Sequence, residues 1–187
     1  MGDRQGTPDE LPQCNVTVTE PFWMAVHETT NAEYAAFDPQ HDSGVYDKRY
    51  KDQVNRGYFV NQPDKPVIRV PWNRAMEFCD WLADRIGRPV TLPSEAQWEW
   101  ACRAGTDTPM SYGNLDANFS AYANLADVTT KELAVIGVNP QPIDNPHPMT
   151  AYLPAILTVN DKVLHLAPPN TYTANAWGLY DMHGNVA

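Results

Sequence analysis

The sequence predicts an α+β domain with few helices, small antiparallel sheets and much of the chain in loops. Three segments carry helix-capping residues followed by helical periodicity, and four short runs are rich in β-branched residues. The 187 residues include 17 Pro and 10 Gly, which argue against long regular elements. A chain of this length can bury one sizeable core, so we expect a single domain.

The first two predicted helices begin at residues that can satisfy free backbone N–H groups. Thr30 and Glu33 form a capping box, which predicts a short helix to about Phe37. Asn73 can cap the second helix, and Gly87 is suited to its left-handed end. Four apolar residues of this second helix recur at steps of four, three and four, and so form one stripe: Ala75, Cys79, Leu82 and Ile86.

A third helix is predicted over the segment that follows Pro93. Ser94 can cap it, Gln97 completes a capping box, and Gly105 lies where a left-handed C-terminal residue is favoured. The segment TLPSEAQWEWACRAG, residues 91–105, concentrates two tryptophans, two glutamates and a cysteine. Its composition could therefore indicate either a catalytic strip or a piece of scaffold.

Local helix chemistry favours the scaffold interpretation of this third helix. Glu95 lies in the first turn, where the helix dipole stabilises a negative charge. Trp98 can face the core together with the small residues three and four positions later. Glu99 and Arg103 are then left as an i, i+4 pair on the opposite side, in the favourable order.

The predicted strands are short and lie mostly near the ends of the chain. They cover residues 16–18, 67–70, 156–159 and 163–166, and the last two flank Asn160–Lys162, which is typical of a hairpin turn. Residues 38–66 and 104–150 show no clear period and are expected to form long, ordered loops.

Charge and cysteine content exclude several classes of protein. A formal net charge of −10 disfavours binding to nucleic acid. The longest apolar run, residues 152–159, is far shorter than the roughly 20 residues of a membrane-spanning helix. Cys14, Cys79 and Cys102 form no Cys-x-x-Cys pair, and the five histidines show no metal-binding spacing.

The remaining chemical signal is an abundance of Asp and Asn in the loops. Calcium binds six to eight oxygens from carboxylates, amides and backbone carbonyls, and it holds irregular backbone in place. Solvated turns are rich in the same residues, and on composition alone they explain the pattern better. Residue types by themselves therefore leave calcium as one of two interpretations.

Three blocks of sequence provide evidence beyond composition. They are residues 23–34 (WMAVHETTNAEY), residues 66–81 (PVIRVPWNRAMEFCDW) continuing into 92–105, and residues 175–186 (NAWGLYDMHGNV). Together they resemble the formylglycine-generating enzyme family, also called the sulfatase-modifying factors. The resemblance implies a fold related to C-type lectins, with a few helices around small antiparallel sheets.

The resemblance also implies an activity and a protein partner. Members with the founding activity use O₂ and copper(I) to oxidise a cysteine in a Cys-x-Pro-x-Arg segment of sulfatases to Cα-formylglycine. Their paired catalytic cysteines follow the block that matches residues 175–186. We therefore expect no catalytic and no cofactor-binding residue in this chain, which would be a single domain over residues 1–187, clipped at both ends, with a loop insertion at about 126–160.

Structural calcium is a further implication of the resemblance. One site would use the side chains of Asn124 and Asp161 with the carbonyls of Leu125 and Val163, although Asp161 also fits the hairpin turn described above. A second would use Asp181 with the carbonyls of Gly184 and Val186, and a last carboxylate is expected just after Ala187. Cys79 and Cys102 match positions that form disulfides in secreted members, with cysteines outside this chain.

Two other functions remain open. The same fold occurs as a ligand-binding or structural module, including domains appended to kinases, in which no copper site is kept. It also occurs in iron-dependent sulfoxide synthases, which usually carry an additional histidine-bearing helical domain. The continuation of the gene distinguishes these functions, because paired cysteines would favour the oxidase.

Overall fold

The computed structural model describes residues 1–2, 8, 11–46, 58–129, 137–138, 141–142 and 155–186. Within these residues the helices and strands, in chain order, are α1 (Asn31–Ala35), β1 (Val45–Tyr46), β2 (Tyr58–Phe59), α2 (Trp72–Ile86), α3 (Glu95–Arg103), β3 (Gly137–Val138) and β4 (Gln141–Pro142). Each strand pairs antiparallel with its neighbour in the chain, β1 with β2 and β3 with β4. The described chain is otherwise turns and loops, in agreement with the prediction from composition.

Helices α1 and α3 begin at the predicted capping boxes. Thr30 Oγ1 accepts the Glu33 N–H at 3.2 Å, and Glu33 Oε2 accepts the Thr30 N–H at 2.8 Å. Ser94 and Gln97 exchange the equivalent bonds at the start of α3. The left-handed C-cap of α3 is Ala104, one residue before the predicted glycine.

Helix α2 starts at Trp72, two residues before the first helical residue that a cap at Asn73 predicts. Its N-cap is Pro71, with no capping bond from a side chain, while its end at the left-handed Gly87 is as predicted. Cys79 on the apolar stripe is buried, but Ile86 is 52 % exposed. The stripe therefore reaches the core only along the first part of the helix.

An aromatic layer joins α1 to α2. Tyr34, the buried residue of α1, lies 5.4 Å from Phe78, and Phe37 lies 5.9 Å from the same ring, both measured between ring centroids. Arg74 covers the Phe37 ring at 4.8 Å and forms an ion pair with Asp38 at 2.6 Å. These contacts pack α1 and the two residues Phe37 and Asp38 against α2.

Helix α3 faces the core with its small residues. Ala101 and Cys102 are buried, whereas Trp98 is 46 % exposed, so the predicted core position of Trp98 is wrong. The Glu99–Arg103 pair is present at 2.9 Å, as predicted. Small side chains are favoured at the buried positions because the segment around residue 175 packs directly against the end of this helix.

The four predicted strands are wrong. Residues 16–18, 67–70, 156–159 and 163–166 form no strand. The Val67 N–H instead donates to the Thr29 carbonyl, and Ile156 forms an isolated bridge with Asp127. Val159, for example, packs into a core cluster with Phe119 and Ala123, against Tyr112 and Leu125. Its β-branched, apolar character therefore reflects burial in a loop.

The chain bends at Lys162, where Asn160 Oδ1 accepts the Lys162 N–H at 2.8 Å, but no strands flank this bend, so the predicted hairpin is wrong. Lys162 has a φ of +68°, and Asp161 Oδ1 accepts the Val163 N–H at 2.8 Å. The proposed insertion at 126–160 lies mostly outside the described residues and remains a prediction. Across the described ranges, no helix is both long and apolar enough to cross a membrane.

Candidate functional site

Asn175 anchors the segment 175–186 on the end of α3. Its Nδ2 donates to the Ala101 carbonyl at 2.9 Å, and its Oδ1 accepts the N–H groups of Trp177 and Leu179. The ring of Trp177 lies 4.3 Å from that of Trp100 on the same helix. The first half of the segment is thereby fixed before the chain turns at residue 181.

The second half of the segment is a tight turn with three residues at positive φ. Asp181, Gly184 and Asn185 have φ of +57°, +136° and +71°. A Cβ at Gly184 would lie only 2.4 Å from the Asn124 carbonyl oxygen. The turn therefore requires glycine at this point, where two segments of backbone meet.

Asn185 connects this turn to three other parts of the chain. Its Oδ1 accepts from Asn124 Nδ2 at 2.9 Å and from the Ala167 N–H at 2.8 Å. Its Nδ2 donates to Glu28 Oε2 at 2.8 Å and to the Ala167 carbonyl at 3.1 Å. Glu28 Oε1 also accepts the Val186 N–H at 3.2 Å.

Burial disfavours the ionised form of two carboxyl groups, Asp181 in this turn and Glu28 beside it. Burial raises the pKa of Glu28 to about 7, and the charge of Asp181 adds to the rise, while bonds from Asn185 and Val186 oppose it. Burial likewise raises the pKa of Asp181. Asp181 is 8 % exposed, and its Oδ1 has no hydrogen-bond partner among the described residues.

A second acidic pair lies around Asp161. Its backbone N–H donates to Asp127 Oδ2 at 2.6 Å, and Asp127 is fully buried. Tyr172 donates its hydroxyl to Asp161 Oδ2 at 3.0 Å, and Thr129 donates to the Val163 carbonyl at 3.1 Å. Burial raises the pKa of Asp161, and the neighbouring Asp127 raises it further.

The predicted metal-binding residues lie in three segments of the structure. Asp181, Gly184 and Val186 share one turn, and Asp161 and Val163 share another. Asn124 contacts the 181–186 turn, and its Nδ2 also donates to the His165 carbonyl, two residues after Val163. Asn124, a predicted ligand of the first site, is therefore hydrogen-bonded to the turn that contains the second site.

Sequence reasoning missed Glu28, Asp127 and Asn185. The spacing Asp127-Val-Thr129 is typical of a side-chain turn and could have indicated a structured carboxylate. Glu28 offers no such local signal, because its partner Asn185 is 157 residues away.

An oxygen-binding cation fits the turn that contains Asp181. Among the described residues, no three His, Cys, Asp or Glu side chains could hold a metal, so such a site would depend on carbonyl and amide oxygens beside its carboxylates. The buried, unpartnered Oδ1 of Asp181 is the feature that favours a cation, because an isolated buried charge is costly.

The cysteines do not fit a copper site. Cys14, Cys79 and Cys102 are free thiols, and burial raises the pKa of both Cys79 and Cys102, the latter to about 11. A high pKa disfavours the thiolate that copper(I) binds. Cys102 Sγ lies 3.5 Å from His183 Nε2, which also accepts the Ser111 N–H at 3.0 Å.

A cavity of about 220 Å³ opens beside this group. Its walls include Ser111, Tyr112, Asn175, Asp181 and His183. The stacked rings of Tyr112 and Tyr122 form part of its lining, 5.1 Å apart between centroids. The cavity therefore places polar side chains and solvent space next to the Asp181 turn.

Known proteins resemble this chain along its whole length. The family model described as FGE-sulfatase, sulfatase-modifying factor enzyme 1-like domain, matches residues 1–187. The formylglycine-generating enzyme of Bos taurus is 29 % identical over 216 residues, covering 95 % of this chain and 50 % of that enzyme. This chain thus spans half the length of the bovine relative.

Two further similar proteins do not carry the name formylglycine-generating enzyme. Serine/threonine-protein kinase Pkn1 of Chlamydia trachomatis serovar L2 is 30 % identical over 115 residues, which cover 56 % of this chain and 18 % of the kinase. The structure of PvdO from Pseudomonas aeruginosa has a TM-score of 0.64 at 22 % identity, covering 96 % of this chain and 60 % of PvdO. This likeness confirms the predicted fold, and the match over residues 1–187 places the chain in the FGE-sulfatase family of sulfatase-modifying factor enzyme 1-like domains.

Proposed function

We propose that this chain is the calcium-stabilised scaffold of a formylglycine-generating-type oxidoreductase. The observation that carries the proposal is the match of residues 1–187 to the sulfatase-modifying factor domain. The reaction is the conversion of a peptidyl cysteine of a sulfatase to Cα-formylglycine. Catalytic residues are not assigned to this chain, since the paired cysteines of the family follow the block that matches residues 175–186.

Calcium has a structural role in this proposal. The turn with Asp181, Gly184 and Val186 would hold one ion, and Asn124, Leu125, Asp161 and Val163 would hold another. Calcium supplies positive charge and fixed coordination to loop backbone, which neither helix nor sheet stabilises here. The buried Asp181, whose Oδ1 has no hydrogen-bond partner among the described residues, supports this assignment.

The substrate would be a peptide that carries a cationic residue. In the Cys-x-Pro-x-Arg segment the arginine provides that charge. The net charge of −10 on this chain favours the approach of such a peptide. Copper(I) with O₂ would supply the oxidation when bound by paired cysteines outside this chain.

The test uses the product of the whole gene, supplied with copper(I), O₂ and a Cys-x-Pro-x-Arg peptide. We expect an aldehyde, detected by hydrazide capture and by the mass of the peptide. A matched peptide with Ser in place of Cys controls for unspecific capture. No aldehyde from the copper-loaded protein would overturn the oxidoreductase proposal.

A second candidate is a non-catalytic binding or structural module of the same fold. The similarity to the Pkn1 kinase favours it, because there the matched segment is a small part of a protein named for another activity. Under this alternative the whole protein binds a partner peptide without converting it. The same assay separates the two functions, since only the oxidoreductase yields aldehyde.

A further inference from the structure

An unpaired stretch of backbone lies at residues 15–25, which include the strand predicted over residues 16–18. Within the part of the chain that the structure describes, no backbone N–H or carbonyl group of residues 15–25 forms a hydrogen bond. Backbone groups of folded proteins are nearly always paired, with protein or with water. This stretch therefore presents an open hydrogen-bonding edge, of the kind that pairs with another strand.

Burial along this stretch follows the pattern of a strand that has one face on the core. Val18, Phe22 and Met24 are half-buried, and the residues between them are exposed, Trp23 to 92 %. Alternation with a period of two is the property of a β-strand, and the Val and Thr residues at 16–19 favour that conformation. The side chains are thus arranged for a sheet whose second strand is not among the described residues.

Three aromatic rings extend the half-buried face of this stretch. Phe22 lies 6.1 Å from Trp100 of α3, and Trp100 lies 4.3 Å from Trp177, both measured between ring centroids. Trp100 and Trp177 are nevertheless 51 % and 44 % exposed. The Tyr180 N–H donates to the Val26 carbonyl at 3.0 Å, so the segment that carries Trp177 lies beside the end of the unpaired backbone. A contiguous exposed apolar surface next to an open edge is typical of a contact with another polypeptide segment.

We propose that residues 15–25 form one strand of a sheet, and that its neighbour is a strand from the part of the same polypeptide outside this chain. The relatives have room for such a strand, because this chain covers 50 % of the bovine enzyme and 60 % of PvdO. A strand of the same polypeptide has a high effective concentration and pairs without the entropic cost of association. A second copy of this chain fits less well, because two chains with a net charge of −10 repel each other. The proposal depends neither on the oxidation reaction nor on calcium.

Hydrogen–deuterium exchange, followed by mass spectrometry, tests this pairing in the present chain and in the product of the whole gene. In the present chain the amides of residues 15–25 should exchange within seconds, because they have no hydrogen-bond acceptor. In the whole product we expect exchange that is slower by about 100-fold or more. The amides of α2 are the internal control, since their helical bonds should protect them in both proteins. Equally fast exchange of residues 15–25 in both proteins would overturn the proposal.

Two other outcomes would identify a different occupant and would also overturn it. Slow exchange in the present chain at every concentration would mean that another of its own segments already pairs with residues 15–25. Slow exchange that appears only as the chain dimerises, with the molecular mass followed by light scattering, would identify a second copy as the partner.

Proline variants of the whole product separate backbone pairing from side-chain packing. Successive N–H groups of a strand point to opposite edges, so Val18→Pro and Thr19→Pro each remove a donor from one edge. At least one of them should lose most of the protection at residues 15–25, whereas the matched controls Val18→Ala and Thr19→Ala should keep it. Full protection in both proline variants would overturn the proposal. If a proline variant unfolds, α2 loses its protection as well, and the comparison of the two unsubstituted proteins decides the result.

Discussion

Asn185 and Asn124 hold each other by two hydrogen bonds. The Asn185 N–H donates to the Asn124 carbonyl at 3.0 Å, and Asn124 Nδ2 donates to Asn185 Oδ1 at 2.9 Å. Asn124 belongs to the first predicted calcium site, and Asn185 lies between Gly184 and Val186 of the second. The two loops are therefore one hydrogen-bonded unit, and a change in either should affect both.

Replacement of Asn185 by Ala should strongly destabilise the fold. The side chain satisfies groups of Glu28, Asn124 and Ala167, so its loss leaves several part-buried polar atoms without partners. We expect a loss of about 2–3 kcal/mol in the free energy of unfolding, measured by urea denaturation.

Asn118→Ala is the matched control for this variant. Asn118 is exposed, and its Oδ1 accepts one local bond, from the Ser120 N–H. The expected cost is about 1 kcal/mol or less. Equal losses for the two variants would show that the Asn185 contacts do not stabilise the fold.

Gly184→Ala should be far more damaging than Gly178→Ala. Both residues have positive φ, at +136° and +80°, so both variants strain the backbone. A Cβ at residue 184 would also lie 2.4 Å from the Asn124 carbonyl oxygen, whereas at residue 178 it would meet nothing within 4 Å. Melting temperatures of the two variants provide the measurement, and similar losses would contradict the close approach of the two loops.

Cys102 should react slowly in the folded protein. The thiol is 5 % exposed, and burial raises its pKa to about 11, so little thiolate is present at pH 8. Cys14 is exposed and should be alkylated by iodoacetamide much earlier, with modification followed by peptide mass spectrometry. Equal rates in denaturant provide the control, and equal rates in the native protein would contradict the buried position of Cys102.

Helices were predictable from the sequence because their signals are local. The capping boxes at Thr30 and Ser94 and the left-handed Gly87 each depend on residues within a few positions of one another. Strands were not predictable, because β-branched residues such as Val159 also suit a buried loop. Here tertiary packing overrides intrinsic strand propensity.

The candidate site was predictable only where a block of sequence forms a single turn. Asp181, Gly184 and Val186 fall in such a block. Glu28 reaches its partners across 157 and 158 residues, and no periodicity indicates a contact of that kind. Asp127 shows its turn chemistry locally, but its closeness to Asp161 depends on how two distant loops pack.

The most direct test of a calcium-stabilised turn is the free energy of unfolding of wild type and Asp181→Asn, each in calcium and in chelator. Burial raises the pKa of Asp181, so the ionised side chain destabilises the calcium-free fold, and the neutral variant should be at least as stable as wild type in chelator. At a hundred times its dissociation constant, calcium should stabilise wild type by about 2.7 kcal/mol per site and stabilise the variant clearly less. A wild type without this gain, or a variant with the same gain, would contradict the account.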